Sequence, residues 1–193
     1  MDREMRQIRG TESKFKTRAN EETGDMYISG YFSVFNSNYE IWAGGSESID
    51  PAAFDETLEE DIRCLIDHKS RLVLGRNTAG TLELRTDDTG LWGEVKINPK
   101  DQDAVNLYER VKRGDVNQCS IGFDILEEEF TENKETGAVH WTIKKVKLYE
   151  VSVVTFPAYE DTGVSARQKQ AEEIKKRQQE KWRADLKARM KGV

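Results

Sequence analysis

Apolar residues in this chain recur mainly in short segments where they alternate with polar residues, a pattern typical of β-strands. Strands are predicted over residues 26–35, 62–68, 72–74, 81–86, 91–97, 116–126 and 139–156. The turn Asp87-Asp88-Thr89-Gly90 separates two of them, and the polar residues 127–137 separate the last two. We therefore expect a run of antiparallel strands.

Two helices are predicted in the body of the chain. Asp50 and Pro51 supply an N-cap and a first helical residue for a short helix over about residues 50–60. Asp101 caps a second helix, which Gly114 ends. The apolar face of this second helix consists of Ala104, Leu107, Tyr108 and Val111.

The two ends of the chain are more polar than its centre. Residues 1–24 are polar and charged, which indicates a loose arm or an edge strand. Residues 164–193 are rich in Lys, Arg, Glu, Gln and Ala, which favours a helix. The only apolar i, i+4 stripe of this helix consists of Trp182, Leu186 and Met190, so it needs a partner or stays partly disordered. A central domain is expected over residues 25–163.

Many short strands and few helices predict an α+β fold that is mainly β. We expect a closed or nearly closed antiparallel β-barrel flanked by a few helices, followed by the charged helical tail. Closure into a barrel would also hide the edges of the sheet. The length of 193 residues fits one compact domain with an appendage.

Composition narrows the functional classes. The net charge of −6 argues against a general nucleic-acid binder, and the apolar runs are far shorter than the ~20 residues of a membrane-spanning helix. The charge is also unevenly distributed. Residues 164–193 carry ten Lys or Arg and four Asp or Glu, a net +6, which leaves −12 for the rest. We expect no nucleic-acid partner and no membrane.

The cysteines and the amino terminus indicate a cytoplasmic protein. The first residues lack the apolar stretch of a signal peptide. Cys64 and Cys119 are expected to be free thiols, as is usual in a reducing compartment. No Cys-x-x-Cys or His-x-x-x-His spacing occurs, so neither a metal site nor a cofactor is predicted.

Imidazole chemistry would have to use one of two histidines, His68 or His140. His68 ends a predicted strand, and alternation places it on the face opposite to Asp67, which is poorly placed to orient it. Taken alone, the pattern favours a half-exposed histidine at a strand end. His140 precedes Trp141, a residue of the buried face, so His140 is expected to point to solvent.

A serine and a glutamate lie in the last two predicted strands. Alternation turns Cys119 inward as a buried thiol and sends Ser120 and Gly122 outward, where the glycine leaves room for an extended peptide. An ordinary outward serine fits equally well. Glu150 lies among apolar residues and needs a partner, either a basic side chain or the second imidazole N–H of His68. Ser152 on the same face is a spare candidate.

Six short segments occur in a fixed order along the chain. They are Ser48–Phe54, Leu65–His68, Leu74-Gly75, Asp88–Leu91, Ser120–Phe123 and Tyr149–Ala158. Together they resemble the prohead maturation proteases of tailed bacteriophages over about residues 25–163. That family is related in fold to assemblin, the herpesvirus assembly protease, a β-barrel serine protease surrounded by helices.

The resemblance implies a serine endopeptidase that cleaves the scaffold and the major capsid precursor, and itself, inside the prohead in the host bacterial cytoplasm. The family nucleophile falls on Ser120 and the family base on His68. Assemblin has a second histidine where this chain holds Glu150, and a carboxylate can fill the same orienting role. Capsid protein and scaffold are the implied substrates, and self-association stays open. The loop after Pro157 is where oxyanion donors are first expected.

Two other functional classes remain. The chain could be an inactive relative that uses the barrel for recognition and the basic tail for docking in capsid assembly. It could also be an unrelated β-barrel binding module. The presence of both Ser120 and His68 speaks against the inactive relative, and proximity of the Ser120 hydroxyl to a His68 nitrogen would discriminate the classes.

Overall fold

β-Strands form most of the regular structure in the computed structural model, which describes residues 7–156 and 161–191. The strands are β1 (Gln7–Glu12), β2 (Lys16–Ala19), β3 (Met26–Val34), β4 (Tyr39–Trp42), β5 (Gly45–Ile49), β6 (Arg63–Ile66), β7 (Val73–Arg76), β8 (Leu82–Thr86), β9 (Gly90–Ile97), β10 (Gln118–Glu132) and β11 (Val139–Val154). The helices of the described residues are α1 (Gln102–Arg113), α2 (Asp161–Lys191) and two 3₁₀ helices, Pro51–Phe54 and Asn77–Ala79. The mainly β class predicted from the sequence is confirmed.

The described strands form two hydrogen-bonded sheets. The larger sheet has the order β1-β10-β11-β5-β4, and β6 pairs with both β11 and β7 beside this path. The smaller sheet has the order β2-β3-β9-β8. Within residues 7–156 no strand ladder joins the two sheets, so they are not closed into the predicted barrel.

The partners of β11 explain this difference from the prediction. This strand pairs antiparallel with β10 on one side and parallel with β5 and β6 on the other. The prediction of a wholly antiparallel arrangement is therefore wrong for these two pairs. Parallel neighbours are joined by long connections, so a hairpin pattern that is read along the sequence does not predict them.

The buried side chains of both sheets belong to one hydrophobic core. Each sheet contributes side chains that are at most 1% exposed. They are Phe32 and Val95 from the smaller sheet, and Ile121, Phe123 and Val151 from the larger sheet. Full burial of a large apolar side chain stabilises a fold by about 1.5–3 kcal/mol. One face of β10 and β11 packs against this core. The opposite face of the same two strands carries the candidate site.

Helix α1 forms as the sequence predicts. The Asp101 side chain accepts hydrogen bonds from two backbone N–H groups at 3.0 and 3.4 Å, and Gly114 ends the helix with a φ of 88°. The four residues of the predicted apolar face are buried. The helix predicted near residue 50 is shorter than expected. It consists of one 3₁₀ turn, Pro51–Phe54, with Asp50 as its N-cap.

Four strands lie outside the predicted strand segments, and two of them are in the amino-terminal segment, for which an edge strand was one of the two predictions. β1 pairs along β10 and β2 pairs along β3, so the described part of the amino-terminal segment forms edge strands. β4 and β5 form a hairpin between the strand predicted over residues 26–35 and the helix predicted near residue 50, and Gly44 permits its turn with a φ of 87°.

The chain divides into two compact units, residues 1–159 and 160–193. Helix α2 in the second unit confirms the predicted charged helix, and its stripe residues Trp182, Leu186 and Met190 are 64%, 43% and 73% exposed. No helix of the described residues has both the length and the hydrophobicity needed to cross a membrane.

Candidate active site

Strand β11 carries a buried carboxylate across the larger sheet. Glu150 is 4% exposed and lies opposite Gly122 in the β10–β11 ladder. A Cβ atom at position 122 would collide with Glu150 Oε1, so a glycine is required for the carboxylate to lie over β10. The space that sequence reasoning assigned to a substrate is therefore filled by Glu150.

Each carboxylate oxygen of Glu150 has a hydrogen-bond partner. His68 Nδ1 lies 2.7 Å from Oε1, and Ser152 Oγ donates to Oε2 at 2.5 Å. Ser152 is fully buried and lies two residues along the same strand, hence on the same face. Such partners offset the cost of burying a charge. Of the two kinds of partner considered for Glu150, the structure provides the imidazole.

His68 reaches this carboxylate because the chain turns sharply after β6. The strand ends at Ile66, and Asp67 and His68 have φ values of 47° and 57°. Strand alternation therefore does not extend to the histidine. The turn is fixed on β11, because the Asp67 N–H donates to the Val153 carbonyl at 3.1 Å and the Asp67 carboxylate accepts from the Thr155 N–H at 2.8 Å.

The second nitrogen of His68 is available for chemistry. When the imidazole is neutral, donation from Nδ1–H to Glu150 leaves Nε2 as a proton acceptor. Nε2 is buried and has no hydrogen-bond partner among the described residues. Buried polar atoms without partners are rare and often serve a ligand or a reaction. The His68–Glu150 pair can therefore accept a proton and stabilise the imidazolium.

Ser120 lies on the same face of the larger sheet as this pair. It is directly opposite Ser152 in the β10–β11 ladder and is fully buried, because β1 pairs along the other side of β10. Its hydroxyl donates to the Arg9 carbonyl of β1 at 3.0 Å. Among residues 7–156 no hydrogen bond joins Ser120 Oγ to His68. The structure thus joins His68 to Glu150 and directs the serine hydroxyl toward β1.

The cysteines do not offer a thiolate nucleophile. Cys64 and Cys119 are both fully buried and neither forms a disulfide. Burial, reinforced by the negative charge of Glu150, raises the pKa of the Cys64 thiol far above its ordinary value. The inward orientation predicted for Cys119 is confirmed, since its thiol donates to the Tyr31 carbonyl at 3.2 Å.

The other histidine occupies a different part of the sheet. His140 Nδ1 and Nε2 each lie 2.9 Å from a serine hydroxyl, those of Ser46 and Ser48. It precedes Glu150 by ten positions on β11, which corresponds to roughly 33 Å of extended strand. Both of its ring nitrogens therefore have local partners.

Sequence reasoning missed an ion pair on the opposite face of the sheet from Ser120. The Arg9 guanidinium binds Glu47 through two contacts, Nε to Oε1 and Nη2 to Oε2, the second at 3.0 Å. Glu47 is 2% exposed, and a cavity of about 320 Å³ lies alongside. The two residues are 38 positions apart, so no local pattern links them. The oxyanion loop expected after Pro157 begins with residues 157–160, which lie outside the described residues.

Comparisons with known proteins connect this chain to phage proteases. The family model described as caudovirus prohead serine protease matches residues 13–177. The prohead protease of Enterobacteria phage HK97 is 30% identical over 143 residues, which cover 72% of this chain and 59% of that protein. The prohead protease of Escherichia phage T5 is 32% identical over 98 residues, 51% of this chain and 42% of that protein.

This chain thus spans about half the length of the curated relatives that it matches. Among solved structures, the capsid assembly protease of bacteriophage T4 has a similar fold. The TM-score is 0.50 at 10% identity, and the alignment covers 78% of this chain and 97% of that one.

Proposed function

The chain belongs to the caudovirus prohead serine protease family, and from that membership we propose that it is a serine endopeptidase of phage capsid maturation. Its proposed substrates are the scaffold and the major capsid precursor, and the chain itself, inside the prohead in the host bacterial cytoplasm. The names of the HK97 and T5 relatives support this proposal.

The observation that carries the proposal is the buried His68–Glu150 contact with a partnerless Nε2 on the face of Ser120. Ser120 Oγ attacks the scissile carbonyl carbon while His68 Nε2 takes its proton. His68 then gives that proton to the leaving amine, and a water molecule releases the acyl group by the same route. Glu150 holds the imidazole in the required tautomer, and Ser152 orients Glu150.

A second candidate function is that of an inactive relative that serves as a scaffolding or capsid-assembly binding module. One observation favours it: the Ser120 hydroxyl donates to the Arg9 carbonyl and not to His68. In the proposed enzyme the same hydroxyl turns about χ1 toward the imidazole when substrate binds, since catalytic hydrogen bonds often tighten only in the substrate complex.

Substitution of the nucleophile separates the two functions. We expect Ser120→Ala to lower cleavage of the co-expressed capsid precursor by about 10⁴-fold or more, because the acyl acceptor is lost. Precursor and product are quantified by mass spectrometry. Ser46→Ala is the matched control, since the Ser46 hydroxyl forms a hydrogen bond with the His140 ring, remote from Glu150 on β11, and its loss should leave cleavage unchanged.

The fold of both variants is compared by thermal unfolding. Cleavage by Ser120→Ala at the wild-type rate would show that Ser120 is not the nucleophile. A folded wild-type chain that leaves its own phage's precursor intact inside assembled proheads would establish the binding module instead.

A further inference from the structure

Strand β1 covers the edge of β10 that carries Ser120. It runs antiparallel along β10, with Gly10 directly opposite Ser120. The Arg9 carbonyl accepts the Ser120 hydroxyl at 3.0 Å. An extended segment that adds to a sheet edge is a common mode of peptide recognition. β1 also ends at Glu12, and the family match begins at residue 13, so this strand precedes the matched segment.

The side chain of Arg9 leaves β1 on the face opposite to Ser120. Strand alternation places it on the side of its ladder partner Ile121, where its guanidinium binds Glu47. The Glu47 carboxylate is almost fully buried, and the adjoining cavity of about 320 Å³ has mixed walls, in which Phe32 and Ile49 are apolar and Ser33 and Ser48 are polar. A buried acid in the wall of a cavity that also has apolar side chains fits a long basic side chain, whose stem packs on the apolar residues while its charge meets the carboxylate.

We propose that Glu47 is the acidic floor of a specificity subsite for the Arg or Lys that precedes the cleaved bond, and that β1 is the intramolecular occupant of this cleft. The proposal rests on the proposed function and specifies its substrate class: an extended peptide with a basic residue followed by a small one. Gly10 meets the second requirement, because it adds no side chain on the face of Ser120.

Cleavage of such a peptide requires only Ser120, His68 and one water molecule as reacting groups. Ser120 Oγ bonds to the carbonyl carbon of the basic residue, and its proton passes to His68 Nε2. The bond from that carbon to the next nitrogen breaks, and the leaving amine takes the proton. Water then hydrolyses the acyl-serine. β1 must leave the cleft before a peptide in trans can bind.

The test uses the full chain and four peptides with the sequence of β1, Gln-Ile-Xaa-Gly-Thr-Glu, with Arg, Lys, Gln or Glu as Xaa. Arg9→Ala weakens the docking of β1 and opens the cleft. In this variant we expect kcat/KM for the Arg and Lys peptides to exceed that for the Glu peptide by about 100-fold or more. The wild-type chain should cleave the Arg peptide several-fold more slowly, because β1 competes.

Glu47→Gln in the Arg9→Ala background distinguishes a subsite from a structural role, since it keeps the size of the side chain. We expect the ratio of the Arg rate to the Gln rate to fall about 10-fold or more. A structural role would lower all four rates together and leave that ratio unchanged, which would overturn the proposal.

Equal cleavage of the four peptides by Arg9→Ala would also overturn the proposal, and this result needs no substitution at Glu47. Failure of the proposed function has a different signature. In that case Ser120→Ala processes the capsid precursor like the wild-type chain, whatever the peptides show.

Discussion

At position 122 one hydrogen atom in place of a methyl group decides where the carboxylate of Glu150 can lie. That carboxylate is buried, binds His68 and Ser152, and lies over the backbone of β10. The motif Ser120-Ile-Gly-Phe123 therefore combines the proposed nucleophile with the clearance that its partner residues require. Gly122 contributes to the site because its lack of a side chain leaves room for the Glu150 carboxylate.

Gly122→Ala tests this geometry. The added methyl group collides with Glu150 Oε1, so we expect a loss of precursor cleavage of about 10²-fold or more and a decrease in the free energy of unfolding of about 1–3 kcal/mol. Cleavage and urea unfolding are measured on the same preparations.

A double substitution provides the control. Once Glu150→Ala has removed the carboxylate, Gly122→Ala should cost little further activity, because the two changes act through the same group. Independent, multiplying losses would show that Gly122 acts by another route.

The resemblance to the prohead proteases proposed Ser120, His68 and Glu150 as site residues, but strand alternation did not predict the surroundings of His68 and Ser120. Alternation stops at Ile66, because two consecutive residues adopt left-handed conformations, and this turn brings His68 to Glu150. Ser120 was expected at an open surface. It is buried because β1, from the other end of the chain, pairs along its strand.

At the scale of elements, local signals were sufficient for α1 and insufficient for the sheets. The cap, the apolar face and the terminal glycine of α1 all lie within one short segment, so the sequence predicts it well. The parallel neighbours of β11 come from segments about 85 and 95 positions away. Long-range pairing of this kind depends on the packing of the whole core, which no local pattern contains.

An ion pair at the start of β6 gives the strand that leads to His68 a specific acid sensitivity. The hydrogen bond from Arg76, aided by the charge of Arg63, lowers the pKa of Asp61 from 3.8 to about 2. Because the folded pKa is below the unfolded value, this pair stabilises the fold above about pH 4 and loses that contribution as the pH falls toward 2.

We therefore expect the urea midpoint of the wild-type chain to fall more between pH 5 and pH 2.5 than that of Asp61→Asn. Both proteins are compared at equal ionic strength, because Asp61 and its arginine partners are exposed and screened by salt. Parallel pH curves for the two proteins would show that this ion pair has no part in acid unfolding.

At the scale of the whole molecule, the chain is a −12 segment followed by a +6 segment, residues 164–193. The second segment is charged and helical, as the sequence predicted, and its apolar residues Trp182, Leu186 and Met190 are exposed. We propose that it locates the enzyme by docking on an acidic capsid or scaffold surface, since it holds none of the proposed catalytic residues.

Deletion of residues 164–193 should lower incorporation of the protein into proheads by about 10-fold while peptide hydrolysis is kept, because the charge attraction is lost and the catalytic unit is not. Incorporation is measured by quantitative mass spectrometry of purified proheads. A matched variant that exchanges the ten basic residues of the segment for Gln separates the loss of charge from the loss of length. Unchanged incorporation in both variants would exclude docking.

The alkylation rates of the two buried thiols can report on the opening of the candidate site. Cys119 immediately precedes Ser120, and Cys64 lies in the strand that leads to His68, both fully buried. An alkylating reagent can reach each thiol only when its own strand separates from the core, so the two labelling rates report separately on the two halves of the site. The native cysteines thus allow the opening of each half of the site to be timed without introducing a new residue.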